Sequence, residues 1–168
     1  MENGEEIYNQ YSNIVYKYLI CLTQDDELSQ DLTQETFAIA LNKINSFRYE
    51  CKLSVWLCQI AKNLWYNYLK KTRKENHIPL ENIENQNYCE TNIEDIVIKN
   101  DEKLRLFKEI QALETPFRDV IYLRMSGNLS FSEIAEIFGK TPNWARVTFF
   151  RAKKKIEKEV EEYERNWL

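Results

Sequence analysis

Six side chains in the stretch NWARVTFFRAKK recur at helical spacing: Asn143, Arg146, Val147, Phe150, Arg151 and Lys154. Arg146, Phe150 and Lys153 or Lys154 fall at i, i+4, i+7 and i+8 and share one face, with Asn143, Val147 and Arg151 on the adjacent one. Arginine holds guanine through paired hydrogen bonds and asparagine does the same with adenine, so this surface suits the edges of bases in a duplex. A second set, Asn63, Tyr66, Asn67 and Lys70, stands at i, i+3, i+4 and i+7 and runs on into Lys71, Arg73 and Lys74. Rings stack on exposed bases, amides bond their edges and lysines follow the phosphates, which fits an unpaired strand better than a closed duplex. Packing of Trp65 and Tyr66 on neighbouring helices, with the asparagines merely facing water, would account for the same residues. A third set, Asp31, Gln34 and Glu35, shares a helix face opposite Leu32 and Phe37. It reads either as a plain solvated face or as a docking surface for a basic protein.

The charge pattern separates these sets. The formal net charge is −4, yet residues 47–77 hold seven bases against two acids and residues 130–158 seven against three. Residues 1–46 hold two bases against eight acids, and residues 78–102 one against seven. Contact with phosphates depends on local lysine and arginine over a range of about 8 Å at physiological salt, so distribution outweighs the total. The acidic blocks are left for solubility, for a protein partner or against promiscuous DNA binding.

The elements that must position these residues are helical. Three glycines and three prolines in 168 residues are too few for the turns of a sheet protein. Apolar periodicity predicts helices from about Glu5 to Leu22, on to about Ile44 after QDDE, and from a cap at Ser54 through Leu69. The polar, aperiodic stretch at 77–94 reads as a linker. Further helices are predicted from Ile96 to Leu113, from Thr115-Pro116 to about Ser126, from a capping box at Ser130 and Glu133 to Gly139, and from Thr141-Pro142 to about Tyr163. The last two have helix-turn-helix proportions, with Ala135 small enough for close approach. A solvated amphipathic helix would share the basic face, but caps, turn, small residue and charge agree on DNA. The expectation is an all-α chain of two small domains. A three-helix bundle occupies 1–76, a linker 77–94 and a helix-turn-helix domain 95–168.

Several chemistries find no support. Cys21, Cys51, Cys58 and Cys89 are scattered without a CxxC pair, and His77 is the only histidine, so neither a metal site nor a cofactor is expected. Phosphate-cradling loops, dinucleotide fingerprints and nucleophile elbows do not occur, and no enzyme is expected. The acidic start MENGEEIYNQ is unlike a signal peptide, and no apolar run would cross a bilayer, so the expected location is the cytoplasm.

Three segments in order, DLTQETF, FRYECKLSVWLCQIAKNLWYNYLKK and LSFSEIAEIFGKTPNWARVTFFRAKKKI, resemble the extracytoplasmic-function sigma factors of bacterial RNA polymerase. The resemblance covers nearly the whole chain. It implies a first domain that binds the polymerase clamp and opens the promoter, a second that binds the −35 element, and a tether directed toward the RNA exit path. It carries Asp31, Gln34 and Glu35 to the clamp-contacting helix, and Phe47 and Arg48 to the loop that captures a flipped base of the −10 element. Trp56 matches a core tryptophan, Asn63 and Asn67 match amides on the non-template strand, and Arg146 and Arg151 match basic positions of the recognition helix. An anti-sigma protein is implied as a further partner. Tyr49 and Cys51 stand where the family often has glycine and serine. Asn143-Trp144-Ala145 replaces the usual Gly-Thr-Val, and Val147-Thr148 the usual Ser-Arg. Trp144 is bulky for a groove and either packs inward or covers sugar-phosphate. The rival readings are a stand-alone helix-turn-helix regulator and a helical protein-interaction adaptor.

Overall fold

The computed structural model describes residues 3–76, 101–125 and 127–166. The stretch predicted as a linker, with His77 and Cys89, and the predicted helix start at Ile96 lie outside the described residues. Among those described, every regular element is helical: α1 (Gly4–Thr23), α2 (Asp26–Lys43), α3 (Leu53–Asn76), α4 (Asp101–Ala112), α5 (Phe117–Met125), α6 (Phe131–Phe138) and α7 (Pro142–Asn166), with a 3-10 turn at Ile44–Ser46. No described helix is long and apolar enough to cross a membrane.

Local chemistry sets most of the ends. Glu6 accepts a hydrogen bond from the Asn3 amide at 3.0 Å, and Asp25 accepts from the Leu28 amide at 2.9 Å, so α1 and α2 each begin with a carboxylate on free N–H groups. Ser130 and Glu133 form the predicted capping box at α6, and Gly139 ends that helix at φ 63°, where a side chain would be strained. Thr141 accepts from the Trp144 amide at 3.2 Å to open α7. Ser54 is not the cap of α3. The Lys52 carbonyl accepts from Val55 and Trp56 at 3.0 and 3.1 Å, which places Ser54 inside the first turn. The helix also continues past Leu69 through the basic KKTRKEN segment to Asn76.

Helices α1, α2 and α3 pack against one another, as do α5, α6 and α7, and the two groups are joined through α3 on α6 and α1 on α5. One apolar cluster therefore runs through both halves, from Val15, Leu19, Leu57, Cys58, Ala61 and Trp65 to Val120, Leu123, Ile134 and Ile137. A smaller one gathers Ile110, Leu113, Ile121, Tyr122, Ala152 and Ile156 between α4, α5 and α7. Cys58 is buried and Cys21 half-buried, and burial pushes both thiols up to about 12; Cys51 is half-buried too. Because Ile134 is fully buried in the larger cluster, Ile134→Ala is expected to cost about 2–5 kcal/mol. With the core shared between halves, urea unfolding followed by tryptophan fluorescence and by circular dichroism should give one coincident transition, shifted as a unit by the substitution.

Candidate nucleic-acid interface

Helix α7 has two chemically distinct sides. Ala145, Thr148, Ala152 and Ile156 are buried against α4, α5 and α6, a strip at i, i+3, i+7 and i+11. The opposite side presents Asn143, Arg146, Val147, Phe150, Arg151 and Lys154 to solvent, all six exposed. Val147 and Phe150 stay exposed, at 37% and 53%, although burying them would be favourable. An apolar pair left between arginines in this way can contact bases and sugars. Small Ala135 and Ala145, both buried, let α6 and α7 approach closely. Trp144 packs inward: it is half-buried, with its ring 5.3 Å from that of Phe138. Of the lysine triplet, Lys155 turns back to Glu114 at 3.3 Å and lies over the Phe117 ring. Lys153 lies 3.7 Å from Glu157, and Arg146, Arg151 and Lys154 make the rest of the outward charge.

The loop before α3 carries an aromatic ladder. Phe47 stacks on Trp56 with centroids 4.8 Å apart, and Tyr49 leans on Phe47 at the same separation. Tyr49 has φ 57° and is 75% exposed, so the outermost ring faces solvent beside exposed Arg48. Along α3, Asn63, Asn67, Lys70 and Lys71 are exposed, the last within 3.9 Å of Glu75.

Tyr66, expected with them as an open stacking ring, is half-buried instead. Its hydroxyl donates to Asp119 Oδ2 at 2.7 Å, because α5 and α6 cover that flank of α3. Trp65 is buried as well. The alternative of inward packing thus holds for Trp65 and Tyr66, while solvent exposure holds for the amides and lysines. Arg146 and Asn63 both remain exposed although the halves are joined.

On α2, Asp31, Gln34 and Glu35 are exposed opposite the buried Leu32, Thr36 and Phe37. Gln34 borders a shallow groove between α1 and α2 that Tyr8, Asn13, Tyr16 and Gln30 also line. At its edge the Tyr16 hydroxyl donates to Asp26 at 2.5 Å. That bond holds the carboxyl below its usual range, while burial and then Asp26 raise the phenol to about 12.

A Sigma-70 region 2 family model matches residues 7–75. SigM, an ECF RNA polymerase sigma factor of Bacillus subtilis, is 30% identical over 155 residues, which cover 91% of this chain and 92% of SigM. The chain belongs to the extracytoplasmic-function sigma factors. BldN, the ECF RNA polymerase sigma factor of Streptomyces coelicolor, is 29% identical over 147 residues, 87% of this chain, which spans only 56% of BldN. The fold is that of the sigma factor RpoE in its complex with the anti-sigma factor NepR from Bartonella quintana. The TM-score is 0.73 at 19% identity, over 94% of this chain and 96% of that one.

Three side chains that join the halves of this sigma factor, Lys52, Lys62 and Asp119, carried no assigned role in the sequence. Lys52 bridges Glu133 at 2.6 Å, Lys62 donates to the Ile137 carbonyl at 2.7 Å, and Asp119 receives Tyr66. The signal for Asp119 was present: a charged pair, Arg118-Asp119, sits within the apolar run PFRDVIYL. The lysines gave none, since surface and interface lysines look alike in sequence.

Hydrogen bonds from Lys52 and from the Ser130 amide hold the Glu133 carboxyl below its usual range. A depressed acid stabilises the fold above its unfolded pKa, and that contribution disappears as pH falls through the lower folded value. Glu133→Gln keeps the capping acceptor and removes the charge facing Lys52, so it should lower stability at pH 7 by about 0.2–1 kcal/mol, the scale of an exposed ion pair. Thermal unfolding at pH 7 and at pH 3 should show the gap to the parent protein closing at the acid end.

Proposed function

We propose that this sigma factor binds core RNA polymerase in the cytoplasm and directs it to promoters bearing −10 and −35 elements. In this reading α7 enters the major groove of the −35 element. Arg146 and Arg151 reach guanine or phosphate, Asn143 reaches adenine, and Val147 and Phe150 contact bases and sugars. The Phe47–Arg48 loop and the Asn63, Asn67, Lys70 and Lys71 stripe take the unpaired −10 strand. Unstacking a base costs a few kcal/mol, which stacking and hydrogen bonds at such a site offset. The acidic face of Asp31, Gln34 and Glu35 docks on basic polymerase surface. An anti-sigma protein masking that face is the natural inhibitor, and the chain performs no catalysis of its own.

The observation that carries the reading is the division of α2, α3 and α7. Each buries one strip in the core and turns toward solvent the side whose chemistry fits polymerase, single strand or duplex respectively. Run-off transcription with core polymerase over a library of genomic promoters tests it. Start-site selection should require both the chain and the core enzyme; a chain that binds operators alone, with no effect on the polymerase, would favour a stand-alone regulator.

Reversing charge with Asp31→Lys and Glu35→Lys together should cut retention of core polymerase in a pull-down by tenfold or more. Arg146→Ala and Arg151→Ala, measured on a selected promoter with polymerase present, should each flatten the dependence of log affinity on log salt by about 1 if the lost contact is to phosphate. A loss confined to particular −35 sequences would instead place that arginine on a base.

A further inference from the structure

The turn that leads into α6 is held by one side chain of α5. Arg124 Nη1 donates to the Leu129 carbonyl at 2.7 Å, and the Leu129 amide donates to the Leu123 carbonyl at 3.2 Å. The residue before the Ser130 cap is thus fixed through both its amide and its carbonyl. The same guanidinium lies over the ring of Phe131, the first residue of α6, 4.8 Å from its centre. From there rings continue into α7. Phe131 tilts against Phe149 at 5.6 Å, and Phe149 meets Phe150 nearly edge to face, 5.7 Å apart at 77°. The series therefore runs from half-buried Arg124 on α5, across α6, to the outward side of α7.

Its two ends in α7 separate this series from ordinary core packing. Phe149 is half-buried and packs on both apolar clusters, so its position is set from within. Phe150 beyond it is 53% exposed, yet it has a ring set against it. A phenylalanine on a free helix surface exchanges between two χ1 wells, and a fixed neighbour on one flank selects one of them. Aromatic pairs in tilted or edge-to-face contact favour that selection beyond the area they bury. Ordering an exposed ring does little for the core. It serves a ligand that the ring must meet in one orientation, because the ordering cost is then removed from binding.

We propose that Arg124 is a positioning residue for the duplex-facing side of α7, acting through Phe131 and Phe149 to hold the Phe150 ring in the orientation that meets bases and sugars. The inference rests on the proposed entry of α7 into the −35 duplex and names what sets the geometry of that site. The position calls for arginine. A planar guanidinium donates in its own plane to the Leu129 carbonyl and lays its face on the Phe131 ring at once, whereas a lysine ammonium has no face to lay there. Loss of either contact lets Phe131 turn, and Phe149 and Phe150 turn with it.

Promoter affinity of the full chain with core polymerase, on a promoter selected by run-off transcription, tests this through a double-substitution cycle. Phe150→Ala and Arg124→Met should each weaken binding, the second by roughly two- to tenfold, the range for ordering one side chain. In the Phe150→Ala background Arg124→Met should change affinity by no more than about twofold, the ordinary error of additivity, because the ring it positions is gone. Phe149→Leu, which breaks the series at its middle ring, should show the same dependence on Phe150. Arg124→Lys should not restore affinity, and it carries the same cycle if the methionine variant fails to fold. The slope of log affinity on log salt should be the same for Arg124→Met as for the parent chain. Costs that add in the double variants, or rescue by lysine with a slope lowered by about 1 in the methionine variant, would show that Arg124 only stabilises the turn or holds a phosphate itself, and overturn the proposal. A silent Phe150→Ala beside a weakened Arg146→Ala overturns the positioning role and leaves the −35 reading standing. Silence in both overturns both.

Discussion

Desolvation of one side of α3 is the constraint on which the arrangement depends. Val55, Leu57, Cys58, Ala61 and Trp65 are taken out of water by α1, α2, α5 and α6, within the apolar cluster that runs through both halves. A side chain the size of Val55 or Leu57 contributes roughly 1.5–3 kcal/mol when fully buried, and with Cys58, Ala61 and Trp65 on the same strip these fix the rotation of the helix about its axis. Once that rotation is fixed, the remaining positions have no freedom. Asn63, Asn67 and Lys70 must face outward, and Lys62 and Tyr66 must fall on the boundary where the C-terminal half arrives.

Burial also separates the charges of this acidic chain. Its acids are concentrated in residues 1–46, chiefly on α2 and the turn before it, and in residues 78–102, while bases gather on α3 and in the first part of α7. Buried strips on α2 and α7 turn these sets to solvent on separate helices. Where a base does meet an acid across the halves, as at Lys52 and Glu133, the pair ties the loop before α3 to the capping box of α6. Surface pairs contribute little to stability on average. This one matters because it sits on a carboxylate that already satisfies a helix end.

Much of this was legible in the sequence. The helices, the capping box at Ser130, the left-handed glycine at Gly139 and the outward face of α7 follow from local rules in which each residue acts within a turn or two of itself. The start of α3 was misplaced because a backbone carbonyl, Lys52, occupies the position that Ser54 could have capped. Its end was misplaced because lysine, arginine and glutamate form helix well without an apolar stripe. The fate of Tyr66 was not legible at all. Whether a tyrosine on a polar stripe meets a base or a buried aspartate depends on a contact across 53 residues of sequence, which no local rule encodes. Trp144 posed the same ambiguity, and Phe138 beside it resolves it inward.

In the proposed function the outward stripe of α3 holds an unpaired strand while its inward strip holds the fold together. Permanganate footprinting of a selected promoter, with core polymerase and this chain, tests this division of the helix. Thymines of the −10 region should become reactive only when both proteins are present, and Asn63→Ala with Asn67→Ala should abolish that reactivity without lowering the unfolding temperature. Undiminished promoter opening by the doubly substituted chain would contradict it.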